Sequence, residues 1–201
     1  MNTVQKTLRI TFILFFSILF FSCNNQNEKP NIVWLVTEDN SIHYMNLYAK
    51  GGAEMPAISA LANQGVVFDN AFSNSPVCSV ARSTIITGAY APRIGTQYHR
   101  KMSQVKLPDN IKPFPIYLKQ AGYYVTNNAK EDYNFIKEEK IWDESSLKAT
   151  YKNRKVGQPF FHVQNFHNTH EGKLHFNEKQ LSEALESNNL DSIKPFPYHP
   201  D

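Results

Sequence analysis

The chain has 201 residues, of which 41% are hydrophobic and 13% aromatic, enough for a sizeable core and too few for two ordinary domains. This composition excludes a collagen-like, coiled-coil or wholly disordered chain. The net charge is +3, and it falls to +1 without Lys6 and Arg9 of the first 22 residues. Because a nearly neutral body lacks the positive field that holds DNA or RNA, we expect no nucleic-acid partner.

The N-terminus has the pattern of an export signal. Residues 1–22 combine a short basic region with an apolar run that is too short to cross a bilayer comfortably. The run ends in Leu-Phe-Phe-Ser before Cys23, which resembles the lipobox of bacterial lipoproteins and implies lipid attachment at Cys23. The alternative is ordinary secretion with an unpaired thiol. We therefore expect an exported protein, anchored through Cys23 to the periplasmic or cell-surface side of a bacterial membrane.

The predicted folded region begins after a polar segment. Residues 23–30 (CNNQNEKP) are turn-rich and typical of a tether. The sequence closes on a proline-rich stretch, residues 195–201, without a helix or strand pattern behind it. We therefore expect residues 31–201 to be the N-terminal portion of a longer domain.

Between these ends, strand and helix patterns alternate, which predicts an α/β fold. Strands are expected at residues 31–37, 66–72, 123–127 and 159–166. Helices are expected at residues 56–64, 79–87, 114–121 and, more weakly, 174–187. Pro56 is suited to open the first helix, while Gly65, Gly88 and Gly122 are suited to end the first three. Polar residues follow the strand ends, where open α/β sheets bind ligands.

Cys78 lies at the start of a predicted helix, in the segment NSPVCSVARSTIITG. The unpaired amide groups and the dipole of a helix N-terminus favour an anion such as a thiolate. Arg82 follows four residues later and returns to the same helix face. These residues alone leave two interpretations open, a functional cysteine beside a cation and a buried structural thiol.

This segment resembles the signature of the type I sulfatases, Cys-x-Pro-Ser-Arg followed by Ser or Ala and by Leu-x-Thr-Gly. The matching positions are Cys78, Arg82, Ser83, Thr87 and Gly88. Val80 and Ala81 depart from the signature, which usually has Pro or Ala and then Ser. The resemblance implies the alkaline-phosphatase-like fold, with a central, mostly parallel sheet flanked by helices. It also implies a formylglycine, formed from Cys78 by a maturing enzyme.

Two earlier segments resemble the same family in the same order. The strand NIVWLVTEDN is similar to the family's first strand, which ends in Asp-Asp, and Glu38 and Asp39 take that place. Because adjacent oxygen ligands suit a hard cation, the resemblance implies one Ca²⁺ held by Glu38, Asp39 and the residue at position 78. By themselves, Glu38 and Asp39 could equally form a solvated turn. Residues 55–68 (MPAISALANQGVVF) resemble the next family segment.

Two later segments extend the resemblance. Residues 122–130 (GYYVTNNAK) resemble a segment that ends in Gly-Lys-x-His, which aligns Lys130 with a sulfate-binding lysine and puts Asp132 in place of the histidine. Without that alignment, the sequence predicts a solvated surface lysine at position 130. Residues 159–171 resemble a strand followed by Pro-His, which aligns His170 with the histidine that contacts the ester and its leaving oxygen. His162 and His167 match nothing in the family, and we expect His162 to lie inside a sheet.

The mechanism implied by the resemblance gives each residue a task. The hydrated formylglycine at position 78, fixed by Arg82, attacks sulfur, and His170 assists the departing alcohol. Lys130 binds the sulfate, and Asp132 accepts a proton as sulfate is expelled. Calcium polarises the sulfate and activates the diol.

The leading hypothesis is therefore a sulfuric ester hydrolase that acts on a sulfated carbohydrate. The alternatives are a phosphoester or phosphonate hydrolase of the same fold and a non-catalytic lipoprotein that binds sulfated glycans. Further metal and sulfate ligands of the family match nothing after His170. We accordingly expect the 201 residues alone to be inactive.

Overall fold

A computed structural model describes residues 29–138, 140–175 and 177–187. In these ranges the strands are β1 (Ile32–Thr37), β2 (Tyr124–Asn128), β3 (Glu144–Ser145) and β4 (Phe160–Phe166). The α-helices are α1 (Pro56–Ala62), α2 (Cys78–Thr87), α3 (Ala91–Ile94), α4 (Phe114–Gln120) and α5 (Glu178–Ser187). Short 3-10 helices cover Ile42–Tyr44, Tyr151–Asn153, His167–Thr169 and Glu171–Leu174. The predicted export signal, Cys23 and the last 14 residues lie outside the described residues.

The strands form a parallel sheet in the order β1-β4-β2-β3. Ile32 of β1 is in register with Phe161 of β4, and Val125 of β2 faces the same residue from the other side. Parallel neighbours need long crossover connections, and here the crossovers contain helices such as α4, which packs against β2. The predicted α/β fold with a mostly parallel sheet is therefore confirmed.

The hydrophobic core lies around the two central strands. Phe161 of β4 is completely buried, with its ring centroid 5.2 Å from that of Trp34 and 5.8 Å from that of Trp142. Helices α2 and α4 contribute Ile86 and Ile116. Truncating a core aromatic of this kind typically costs about 3–5 kcal/mol, so the central strands are firmly held.

The strand predicted at residues 66–72 is wrong, because the structure has a non-regular segment there. Val66, Phe68 and Phe72 are 78%, 70% and 90% exposed. A strand pattern becomes a strand only when a neighbour satisfies its backbone groups, and the described residues provide no partner for this segment. Among the described strands, β1 lies at an edge of the sheet, and Leu35 is exposed on one of its faces.

The predicted helices are confirmed with small shifts at their ends. Helix α2 ends at Thr87 because Gly88 adopts the left-handed conformation, with φ of 64°. The weak helix predicted at 174–187 is shorter and begins at Glu178. The sequence analysis missed α3 and β3, which have four and two residues and are too short for a periodic pattern. Among the described residues, no helix has the length and apolar character needed to cross a membrane.

The parallel arrangement brings several strand ends together. Glu38 follows β1, Lys130 lies two residues after β2, and His167 follows β4. Since parallel strands end at the same edge of the sheet, these polar residues meet where open α/β sheets bind ligands.

Candidate functional site

Glu38 is the centre of the site, and its side chain is only 3% exposed. Oε1 lies 3.1 Å from Nη2 of Arg82, and Oε2 lies 2.6 Å from Nζ of Lys130. Nδ1 of His167 is 3.4 Å from Oε1, and Nε2 of His170 is 3.7 Å from Oε2. We refer to these five residues as the Glu38 cluster. Because one carboxylate faces two permanent cations, the cluster keeps an excess positive charge that favours an anionic ligand.

Arg82 is fixed by several acceptors besides Glu38. Nη1 donates to the carbonyl oxygen of Lys130 at 3.0 Å, and Nη2 donates to Oδ1 of Asn165 at 2.9 Å. Asn165, 4% exposed, in turn donates to Oδ1 of Asn127 at 3.0 Å. The sequence analysis did not identify Asn165 or His167, although their position at the end of β4 was a usable signal.

Cys78 is the first residue of α2, and its thiol is free and partly buried. The N-cap residue, Val77, makes no side-chain cap, which leaves amide groups of the first turn directed at the space beside Cys78. Arg82 lies one turn later, as the spacing predicts. Cys78 therefore combines a helix N-terminus with a nearby cation, the environment that stabilises an anion or a developing negative charge.

A cavity of about 630 Å³ joins Cys78 to the Glu38 cluster. Its polar lining includes Glu38, Asp39, Cys78, Arg82 and Lys130. Its apolar lining includes Trp34, Val36 and Val163 of the sheet, Ile85 and Ile86 of α2, and Trp142 before β3. Apolar walls strengthen the electrostatic interactions of the few charged groups among them.

His170 has a defined proton position in this site. Its Nδ1 accepts the backbone N–H of Gly172 at 3.0 Å, so the neutral ring carries its proton on Nε2, the atom that faces Glu38. The neighbouring Thr169 accepts the backbone N–H of Glu38 at Oγ1 with a distance of 3.0 Å. The loop after β4 is thus tied to the end of β1 and directs a hydrogen-bond donor, Nε2–H of His170, towards the cluster.

Asp39 and Asp132 lie at the margins of the Glu38 cluster. Oδ2 of Asp39 accepts the backbone N–H of Glu171 at 2.8 Å, and Asp39 also lines the cavity. Both carboxylate oxygens of Asp132 accept from Arg100, at 3.2 Å and 3.1 Å. The structure thus brings Glu38, Arg82, Lys130 and His170 into direct proximity and pairs Asp132 with another residue, while the catalytic role of each stays a prediction.

The predicted calcium ligands have the right chemistry but are few. Glu38 and Asp39 offer carboxylate oxygens at the cavity, and such oxygens are what Ca²⁺ prefers. Since Ca²⁺ takes about 6–8 oxygen ligands, two residues do not complete a site. Consistently, no group of three or more His, Cys, Asp or Glu within the described ranges has the arrangement of a metal site. Glu38 and Asp39 fit a hard cation as part of a larger ligand set.

Solved structures show what class of fold positions these residues. BT4656, solved in complex with its substrate D-glucosamine-2-N,6-O-disulfate, matches 84% of this chain and 39% of its own at 20% identity, with a TM-score of 0.61. BT1596, a 2-O GAG sulfatase, matches 87% of this chain and 42% of its own at 16% identity, with a TM-score of 0.60. The chain therefore has the alkaline-phosphatase-like fold of the sulfatases.

The sulfatase family model matches residues 30–194, and the chain belongs to the sulfatase family. It is 41% identical over 157 residues to an ulvan-active sulfatase of Formosa agariphila, and the matched segment covers 73% of this chain and 26% of that protein. It is 30% identical over 105 residues to human N-acetylgalactosamine-6-sulfatase, covering 48% of this chain and 20% of that protein. The matched part of the chain thus spans about a quarter and a fifth of the length of these two curated relatives.

Proposed function

We propose that the protein to which this chain belongs is a sulfuric ester hydrolase that removes sulfate from a sulfated carbohydrate. The observation that carries this proposal is the Glu38 cluster, which places the cations Arg82 and Lys130 at the cavity that Cys78 lines. A sulfate monoester is an anion that repels nucleophiles. Its hydrolysis requires neutralised oxygens, a strong nucleophile and a proton for the departing alcohol.

Lys130 and Arg82 supply the neutralising charge. Their side chains are only 13% and 16% exposed, so their charges are weakly screened by water. Glu38 and Asn165 hold Arg82 in one orientation before any substrate arrives. Donors that are already oriented need no reorganisation during the reaction, which is the main source of electrostatic stabilisation in enzymes.

Cys78 is the proposed site of the nucleophile, after conversion to formylglycine by a maturing enzyme. The hydrated aldehyde supplies two hydroxyl groups, one to attack sulfur and one whose deprotonation lets sulfate leave. The first turn of α2 and Arg82 surround this position with positive electrostatic potential. That potential favours the developing negative charge on an oxygen at position 78.

His170 is the proposed donor to the departing alcohol oxygen. Its neutral ring carries a proton on Nε2, on the side of the Glu38 cluster. Because a neutral imidazole would become an imidazolate if it gave up this proton, the proposed role is a hydrogen bond to the developing negative charge on that oxygen. A positioned donor of this kind typically contributes about 10²–10³-fold to the rate. Gly172 keeps the ring in this tautomer through its backbone N–H, without a further side chain.

Glu38 and Asp39 would contribute to holding one Ca²⁺, together with an oxygen of the residue at position 78. Such a cation would withdraw electron density from the sulfate oxygens. The carboxylate oxygens of the two residues that directly follow β1 support this assignment, because Ca²⁺ binds through oxygen.

A sulfated polysaccharide is the substrate class that we propose. The Formosa agariphila relative is named as ulvan-active and the human relative as acting on a 6-sulfated amino sugar. We also propose export and lipid attachment at Cys23, which would place the enzyme where external polysaccharides are accessible. Incorporation of labelled palmitate into the wild-type protein, and its loss in Cys23→Ser, would test the anchor.

The decisive experiment is mass spectrometry of the tryptic peptide of residues 51–82, from the full-length protein made in its own host. Formylglycine would make this peptide lighter by the exchange of CH₂SH for CHO at Cys78. Sulfate release from ulvan oligosaccharides and 4-nitrophenyl sulfate should then accompany the modification and disappear in Cys78→Ala.

Other outcomes would favour the alternatives. An unmodified, alkylatable Cys78 together with binding of sulfated oligosaccharides and no sulfate release would indicate a non-catalytic glycan-binding protein. Val80 and Ala81, the departures within the signature, would then explain the lack of maturation. Phosphate release that depends on zinc and is indifferent to calcium would indicate a phosphoester hydrolase.

A further inference from the structure

Arg100 is held beside position 78 from two sides. Its backbone N–H donates to Oγ of Ser79, the residue after Cys78, at 2.9 Å. Its guanidinium donates to Asp132 through Nε and Nη2, at 3.2 Å and 3.1 Å. Ser79 is completely buried in the first turn of α2, so this anchor is firm. The pair joins the loop before residue 100 to the segment after Lys130.

Further contacts hold the two segments that carry Arg100 and Asp132. Nδ2 of Asn134, which is 3% exposed, donates to the carbonyl oxygens of Thr96 and Tyr98 at 3.1 Å and 2.6 Å. Arg100 and Asp132 both have positive φ angles, of 42° and 50°. Residues other than glycine adopt such angles at a cost in free energy and retain them where neighbouring contacts enforce them. The Arg100–Asp132 pair is therefore a built feature of the fold.

Among the described residues, the outer edge of the Arg100 guanidinium is exposed to solvent. The Arg100 side chain is 57% exposed, whereas that of Asp132 is 17% exposed. An arginine has five N–H donors, and Asp132 uses two of them. Within the described part of the chain, no acceptor meets Nη1. Because Asp132 fixes the plane of the fork, the remaining N–H groups are oriented for two parallel hydrogen bonds to an oxyanion.

Arg100 lies outside the group that would surround the scissile sulfate. Lys130 and Arg82 contact Glu38 and line the cavity, whereas Arg100 does neither among the described residues. The hydrogen bond to Asp132 and the charge of Asp132 raise the pKa of Arg100. The backbone contact with Ser79 places Arg100 near position 78, while its side chain is largely exposed to solvent.

We propose that Arg100 is a specificity-determining residue that binds a second oxyanion of the sulfated saccharide, either a carboxylate or another sulfate ester. Asp132 is then a positioning residue, which orients Arg100. This inference rests on the proposed function. It replaces the role of proton acceptor, which the resemblance implied for Asp132.

The test is calorimetric titration of the full-length protein in a Cys78→Ser background, where no probe is turned over. Three probes separate the anionic groups: N-acetylglucosamine 6-sulfate, D-glucosamine-2-N,6-O-disulfate, and a disaccharide of glucuronate and N-acetylglucosamine 6-sulfate. Arg100→Ala should weaken binding of one or both doubly anionic probes by about tenfold and that of the first probe by less than about twofold. Arg93→Ala, another exposed arginine, is the matched control.

Each outcome decides the proposal. A loss confined to the disulfate identifies a second sulfate as the ligand, and one confined to the glucuronate disaccharide identifies a carboxylate; both support it. An equal loss for all three probes would place Arg100 on the scissile sulfate and overturn it. No loss, or no preference of the unsubstituted protein for doubly anionic probes, would also overturn it.

Asp132→Asn separates positioning from proton transfer. A positioning role predicts that Asp132→Asn weakens binding of the same doubly anionic probes and has little effect on binding of N-acetylglucosamine 6-sulfate. A selective fall of the turnover number for 4-nitrophenyl sulfate in Asp132→Asn with Cys78 intact, at unchanged KM, would instead support proton transfer by Asp132. Absence of any sulfate release from the unsubstituted protein would refute the proposed hydrolase, while the calorimetric comparison would still report on Arg100.

Discussion

The ion pairs of Glu38 predict that this single carboxylate stabilises the end of β1. Replacing Glu38 by Gln keeps the shape of the side chain and removes its charge. Lys130 and Arg82 would then remain as cations with side chains 13% and 16% exposed. Removing one partner of a buried ion pair typically costs about 3–5 kcal/mol. Since Arg82 keeps Asn165 and a carbonyl oxygen as acceptors, we expect the lower end, about 3 kcal/mol.

Urea unfolding of the full-length protein, followed by circular dichroism, would measure this change. A chelator must be present throughout, so that the loss of a calcium ligand does not contribute. Glu138→Gln is the matched control, because Glu138 pairs with Lys106 at 3.4 Å where both side chains are about 60% exposed. An exposed pair contributes about 0–1 kcal/mol, so this control should barely shift the midpoint.

A double-mutant cycle shows whether the lost charge is the cause. Adding Lys130→Met to Glu38→Gln removes the unpaired cation. The double variant should therefore lose less free energy of unfolding than the sum of the losses in the two single variants, by at least about 1 kcal/mol. Additive effects, or a Glu38→Gln protein within about 0.5 kcal/mol of the unsubstituted one, would refute the reasoning.

Replacing His170 or Arg82 by Ala should lower the turnover number for sulfate release by about 10²–10³-fold, whereas the exposed His175→Ala should not change it. Retention of most turnover in either variant would contradict its assigned role. A chelator should abolish sulfate release and added calcium should restore it; release that persists without calcium would exclude the proposed metal. Burial lowers the pKa of His162 below its usual 6.5, so the folded state resists protonation there. Stability should therefore be complete above pH 6.5 and fall as the pH decreases towards the lowered pKa. His162→Gln should flatten this part of the urea-unfolding profile, and an unchanged slope would show that His162 is not responsible.

The fold was largely predictable because two of its strands carry apolar runs. The run before His167 is buried in β4, and the run before Glu38 forms β1, where partly buried and exposed residues alternate. His162 lies inside the sheet, 6% exposed, as expected. The segment at residues 66–72 has a similar apolar pattern and is not a strand. Its pattern is local, whereas strand formation requires a partner whose position the local sequence does not specify.

The candidate site was predictable where one short segment contains the chemistry. Cys78 and Arg82 are one helical turn apart, so the sequence alone places them on a common face. The strand pattern likewise places Glu38 and Asp39 at the end of β1, whereas their role as metal ligands is implied by the family resemblance and stays a prediction. The placement of these four residues needs only the periodicity of a helix and the alternation of a strand.

Tertiary structure alone decided which distant residues share a contact. Glu38 and Lys130 are 92 positions apart, yet their charged atoms lie 2.6 Å from each other, because parallel strands end at one edge of the sheet. Asp132 pairs with Arg100, 32 positions away, and no periodicity links those two residues. Local sequence determines the conformation of each element, but contacts between charges depend on how the elements pack, and that packing is set by the whole core.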